Sequence, residues 1–174
     1  MHHSESWEIE GTIWLPLEPL DRNAYASEQF RPLLQMARDA RSQAYAPYSN
    51  FRVGAAVLMG GEVFSGCNVE NASYGATICA ERNAIFQGVQ NGQRKLEVVA
   101  ISTDAPAGSA PESRAPCGMC RQVISEFATS DTLVLLDRGE IGEGSPAGDV
   151  IRISSLFPLA FRLEKNSADS DSSR

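Results

Sequence analysis

Apolar and polar positions along the chain alternate with two periods, one helical and one extended. Phe30, Leu33, Leu34, Ala37, Ala40 and Ala44 recur at helical spacing and Ser27 stands where an N-cap would, so a helix is predicted from Ser27 to about Ala44. Ala46-Pro47-Tyr48-Ser49 ends it. Phe51 to Met59 reads as a strand, Gly60-Gly61 as a turn and Glu62 to Asn68 as the hairpin partner. A helix is predicted from Cys79 to Asn91, ended by Gly92. Leu96 to Thr103 is rich in β-branched residues and reads as a buried strand. Asp104 to Pro116 is a loop of Pro, Gly, Ser and Ala, long enough to point to a function. A helix from Gly118 to Ala128 and a strand from Thr132 to Asp137 follow. The loop Arg138 to Gly148, a short strand Val150 to Ile153 and a packing segment Leu156 to Phe161 complete the pattern. Strands alternating with helices imply an α/β layered sheet.

The two ends depart from this pattern. Residues 1–25 form an arm in which Trp7, Ile9, Ile13, Trp14, Leu15, Leu17 and Leu20 are apolar, while Pro16 and Pro19 prevent a helix. Such large apolar groups are expected to pack on this body or on a neighbouring subunit. The domain is expected to span residues 26–164, and residues 165–174, a tail of Ser, Asp and Arg, are expected to be disordered.

Composition narrows the function. A chain of 174 residues with 43% hydrophobic and 21% charged residues is one ordinary globular domain. A formal net charge of -7 argues against holding a polynucleotide backbone. No apolar run approaches a membrane span and no leader pattern is visible, so the expected compartment is the cytoplasm, where thiols stay reduced. The only histidines are His2 and His3, which excludes imidazole chemistry and histidine-ligated zinc from the body. Four cysteines remain, and in a reduced compartment they suggest metal or redox chemistry.

Two segments, Cys79-Ala80-Glu81 and Pro116-Cys117-Gly118-Met119-Cys120, each open a predicted helix. Cys117 and Cys120, at i and i+3, share one face of a first turn, and Cys79 supplies a third sulfur from another helix. Three protein ligands leave the fourth tetrahedral position of zinc for water, the catalytic pattern. Glu81 at a helix's first turn can reach round to that water as a general base. Three thiolates and one Zn²⁺ sum to a negative site, which opposes the lowering of a bound water's pKa. Two helix N-termini would damp the thiolates, and Arg82 or Arg121 could donate to sulfur, with Arg82 the preferred candidate. Two other readings of the cysteines stand beside this one. Cys117 and Cys120 could be a redox pair, which leaves Cys79, Glu81 and Arg82 unused. Cys67 could complete a structural four-sulfur site, although as a lone cysteine at a strand end it reads better as a small buried hydrophobe.

At these residues the chain resembles cytidine deaminases of the short, three-cysteine, homotetrameric class. The matching stretches are Tyr45-Ala46-Pro47-Tyr48-Ser49-Asn50-Phe51, Gly66-Cys67-Asn68-Val69-Glu70-Asn71-Ala72-Ser73-Tyr74, Cys79-Ala80-Glu81-Arg82-Asn83-Ala84-Ile85 and Pro116-Cys117-Gly118-Met119-Cys120-Arg121-Gln122-Val123-Ile124-Ser125. The resemblance runs from about Glu28 to Phe161. It implies a three-layer α/β/α sandwich around a mixed sheet of about five strands. It implies hydrolytic deamination of cytidine and deoxycytidine in pyrimidine salvage, with zinc held by Cys79, Cys117 and Cys120. Glu81 would take a proton from zinc-activated water, deliver one to the ring nitrogen and help ammonia leave. By the same resemblance Asn68 and Glu70, on one face of an extended strand, bind the ribose 3′ hydroxyl, Phe51 neighbours the base, and the backbone at Ala80 helps hold the ring. Tyr48 and Phe161 match positions near the pocket, partly reached from neighbouring subunits. A small-molecule nucleoside, a homotetramer, no nucleic-acid polymer and no membrane are the implied partners. A related substrate such as blasticidin S is the alternative, since the zinc motifs are shared. The long arm departs from the family pattern, as does Ala115, where the family often has Ser.

Overall fold

The computed structural model describes residues 30–139 and 148–164, and the backbone of two short strands near the N-terminus. Those two, β1 (Trp7–Ile9) and β2 (Thr12–Trp14), pair antiparallel. The rest of the predicted arm, the proposed Ser27 cap and the tail from residue 165 lie outside the described residues.

β-branched and small apolar runs build one sheet of five strands: β3 (Val53–Met59), β4 (Glu62–Cys67), β5 (Leu96–Thr103), β6 (Ala128–Asp137) and β7 (Gly148–Arg152). Their spatial order is β4-β3-β5-β6-β7. Only β5 and β6 are parallel neighbours, so the sheet is mixed. Gly60 and Gly61, at φ 58° and 84°, supply the two left-handed residues of the tight β3–β4 hairpin.

Helices cover both faces, which makes the expected three layers. On one face α1 (Arg31–Ser42) buries Phe30, Leu33, Leu34 and Ala37 against Ala56, Leu58, Val98, Ala100, Leu135 and Val150. On the other face α2 (Ala80–Gln90), α3 (Gly118–Phe127) and α4 (Ile153–Leu156) pack through Ala84, Ile85, Ile124 and Ile153 against Val57, Val99, Val134 and Leu136.

Strand order decides where the helices begin. β4 and β5 each run antiparallel to β3, so they run parallel to one another. Their C-terminal ends therefore share one edge of the sheet. α2 follows β4 and α3 follows β5, so both helices start at that edge. Crevices at the carboxyl edge of such strands are where α/β folds bind ligands.

Element types match the sequence pattern, and several boundaries differ. α1 starts at Arg31 after Phe30, with Pro32 in its first turn, and ends at Ser42 rather than Ala44. β6 begins at Ala128 rather than Thr132, because residues 128–131 extend straight from the end of α3. The expected Leu156–Phe161 packing segment is shorter: Ile153–Leu156 forms a helical turn, while Leu159 and Phe161 are exposed.

Candidate active site

Each cysteine that opens a helix does so as its N-cap. Cys79 caps α2 and Cys117 caps α3, both with extended backbone and neither with a side-chain cap hydrogen bond. A cysteine is a poor N-cap, so neither helix start has its first N–H groups met by the capping side chain. Cys120 sits one turn into α3 and is buried. The Cys79 and Cys117 sulfurs lie 4.0 Å apart, and all three sulfurs lie within 4.8 Å of one another. Sulfurs at ~2.3 Å from a tetrahedral zinc are ~3.8 Å apart, so the cluster fits such an ion with little adjustment. Cys67 is not part of it. Its sulfur lies 3.5 Å from the Gln43 carbonyl, which removes the four-sulfur reading.

Cys79 and Cys120 shift in opposite directions. The hydrogen bond from Cys120 draws the Cys79 thiol down to about 5, against a burial effect that Arg82 also opposes. The same contact, together with burial, pushes Cys120 up. Arg82 Nη2 donates to the Thr77 carbonyl at 3.0 Å and to the Cys79 sulfur at 3.5 Å. Arg82 Nε is buried and has no hydrogen-bond partner among the described residues. Arg121, the other candidate for sulfur, instead donates through Nε to the Pro116 carbonyl and through Nη1 to that of Leu156.

Glu81 is the second residue of α2 and is 4% exposed. Burial pushes its carboxyl up to about 7, and the nearby Cys79 charge adds to the rise. A carboxyl of that pKa, beside the sulfur cluster, can both accept and return a proton near neutral pH. Ala80 is fully buried between Cys79 and Glu81.

Asn68 and Glu70 lie just past the end of β4 and turn to the same neighbour, the segment 48–53. Asn68, buried, accepts from Val53 N at 2.8 Å and donates to the Phe51 carbonyl at 3.0 Å. Glu70 is partly buried and accepts from Tyr48 N, Ser49 N and the Ser49 hydroxyl. The hydroxyl contact, followed by the Tyr48 amide, holds its carboxyl below the usual range. Phe51, Tyr48 and Phe161 are exposed, and Tyr48 meets Tyr74 edge to face with ring centroids 6.2 Å apart. Gln122 Nε2 donates to the Phe161 carbonyl at 3.0 Å and so ties the C-terminal segment to α3.

Ser49 and Thr77 were not singled out in the sequence. Ser49 meets Glu70 from a segment 21 residues away, whereas the Thr77 carbonyl meets Arg82 across five residues where the loop enters α2. Arg114 was also missed, although a lone cation in a Pro/Ser/Ala loop three residues before Cys117 was a visible signal.

The zinc-binding region of cytidine and deoxycytidylate deaminases, as a family model, matches residues 27–136. A cytidine deaminase of Halalkalibacterium halodurans is 44% identical over 135 residues, 76% of this chain and 93% of the relative. A blasticidin-S deaminase of Bacillus cereus is 31% identical over 141 residues, 78% of this chain and 94% of the relative. The crystal structure of cytidine deaminase from Burkholderia pseudomallei shares the fold at a TM-score of 0.64 and 41% identity, covering 75% of this chain and 98% of that one. Since the match takes in the sheet edge and both cysteine segments, and spans nearly the whole of these relatives, the chain belongs to the cytidine and deoxycytidylate deaminase family.

Proposed function

We propose that the protein is a zinc-dependent hydrolase that converts cytidine and deoxycytidine to uridine and deoxyuridine with release of ammonia. The observation that carries this reading is the buried Glu81 carboxyl beside the Cys79, Cys117 and Cys120 sulfurs. Those three cysteines would hold the zinc. When bound, zinc supplies Lewis-acid activation of water at neutral pH. Glu81 takes a proton at a carboxylate oxygen, passes it to the ring nitrogen next to the attacked carbon, and then serves the departing amine. Arg82 and the two helix N-termini offset the negative charge of the thiolates, which otherwise opposes that activation.

Asn68 and Glu70 are read as the ribose-binding pair, Phe51 as the neighbour of the base, and the backbone at Ala80 as a contact to the ring. Asn68 Nδ2 carries a second N–H, and the Glu70 carboxylate has lone pairs beyond those used by segment 48–53. Identity to the cytidine deaminase above exceeds that to the blasticidin-S deaminase, which favours the nucleoside substrates.

The same reading makes the protein a cytoplasmic homotetramer of pyrimidine salvage, with residues 1–25 an arm and residues 165–174 a tail outside the catalytic domain. Exposed Tyr48, Phe51, Tyr74, Met119 and Phe161 support subunit contacts near the site. No described helix is long and apolar enough to cross a membrane.

The test is an ultraviolet assay of the purified protein with cytidine and deoxycytidine, and with Glu81→Gln as control. Turnover of either nucleoside that disappears in Glu81→Gln, with zinc retained, supports the reading. A zinc-loaded protein that turns over neither nucleoside overturns the substrate assignment.

A further inference from the structure

The loop between β5 and α3 delivers Cys117, the exposed member of the sulfur cluster. Cys120 lies within α3 and is buried, whereas Cys117 sits at the junction of loop and helix. The position of its sulfur therefore depends on what holds the loop. Arg121 Nε grips the Pro116 carbonyl from the α3 side. On the other side the grip is Arg114, whose side chain is 2% exposed.

Both Nη atoms of Arg114 donate twice. Nη1 reaches the carbonyls of Leu136 and Asp137 at the end of β6, at 3.2 and 2.9 Å. Nη2 reaches the Ser109 carbonyl within the loop at 2.8 Å and Asp149 Oδ2 on β7 at 2.9 Å. Asp149 is itself buried, and its other oxygen lies 3.3 Å from Arg138 Nε. A buried guanidinium demands such pairing, because an uncompensated charge there is strongly destabilising. Its planar fork also fixes direction in a way that a lysine cannot. One side chain thus ties the loop to β6, to β7 and to itself, three residues before a metal-site sulfur.

We infer that Arg114, held by Asp149, is a positioning residue for the metal centre: it fixes the loop that presents Cys117, and its loss speeds metal release. This rests on the zinc reading above. Neither residue belongs to the cysteine and glutamate segments. Their effect runs through the geometry of one ligand, so it is read in the metal's off-rate rather than in the chemistry of Glu81.

The experiment follows zinc leaving the loaded full-length protein to a chromophoric chelator. It compares wild type with Arg114→Lys, with Asp149→Asn, and with the paired apolar change Arg114→Met/Asp149→Leu, which avoids a lone buried charge. Leu34→Ala, in the opposite layer, serves as a control for general destabilisation. The expected result is release about 10- to 100-fold faster in the Arg114 and Asp149 variants, the range found when supporting partners of metal ligands are removed. Leu34→Ala releases zinc at the wild-type rate despite a lower Tm. Wild-type release rates in the folded Arg114 and Asp149 variants overturn the inference alone. Equal acceleration in Leu34→Ala at matched loss of Tm overturns it as well. Absence of zinc from the wild-type protein overturns the zinc reading together with this inference.

Discussion

The two faces of the sheet carry helices of opposite use. α1 lies on its face through side chains: Phe30, Leu33, Leu34 and Ala37 are buried against the sheet, and Arg38 and Arg41 pair with Asp137 and Asp104 at the sheet's strand ends. α2 and α3 on the other face are used at their ends. Their N-caps are Cys79 and Cys117, without a cap hydrogen bond, and their first turns carry Glu81 and Cys120. A Ser, Thr or Asp at an N-cap typically adds about 1 kcal/mol to helix stability. α2 and α3 forgo that contribution, and the positive ends of their dipoles lie at the sulfur-bearing residues instead. The difference teaches that stability and chemistry are separated by layer here. One face is optimised for burial, and the other gives up capping to converge ligands at a sheet edge.

Substitutions on the two faces should therefore fail in different ways. The largest effect is expected from Cys120→Ala, which removes the buried sulfur: zinc content by elemental analysis should fall from one per chain to near zero, with activity at background. Stoichiometric zinc in that variant would break the three-sulfur reading. Glu81→Gln should keep its zinc and lose about 10²- to 10⁴-fold in kcat, the usual share of general acid–base catalysis. Leu34→Ala on the α1 face should cost about 2–5 kcal/mol in denaturant unfolding and leave kcat of the folded protein unchanged. A comparable fall in kcat there would show that the layers are not separate.

The smallest effect is a pH dependence of the α1 face. Burial alone would raise the Asp137 carboxyl, but Arg38, Ser102 and Gly139 N hold it below the usual range. The folded protein then binds fewer protons at this site than the unfolded chain. The stability this contributes is present above the unfolded value of about 3.9 and is lost as pH falls through the folded value. Thermal melts of wild type and Arg38→Met should differ most near neutral pH and converge in acid. A gap independent of pH would show that Asp137 is not the titrating partner.

Most of the scaffold was legible because its signals are local. The apolar rhythm of α1, the Gly60-Gly61 turn and the β-branched run of β5 each specify an element through neighbours a few residues away. The boundaries that moved lie where tertiary contacts replace local ones. Ala128 reads as the end of a helix and the strand as starting at Thr132, yet β6 begins at Ala128, and Thr132 Oγ1 donates to the Leu96 carbonyl across the sheet. Phe161 reads as packing, yet it is exposed, and α3 holds its backbone through Gln122.

The sequence by itself narrowed the kind of chemistry. With histidine confined to residues 2 and 3, three cysteines placed at helix starts and a glutamate beside one of them leave sulfur-bound metal and a carboxylate base as the coherent set. The i, i+3 spacing of Cys117 and Cys120 is local geometry and needs no fold. Only the tertiary structure decided that Cys79 meets them, that Glu81 is buried enough for its carboxyl to rise to about 7, and that Arg114 braces the loop behind Cys117. The reason is physical. Element type follows from contacts between near neighbours in the chain, whereas convergence and burial follow from strand order, which brings the ends of β4 and β5 to one edge of the sheet.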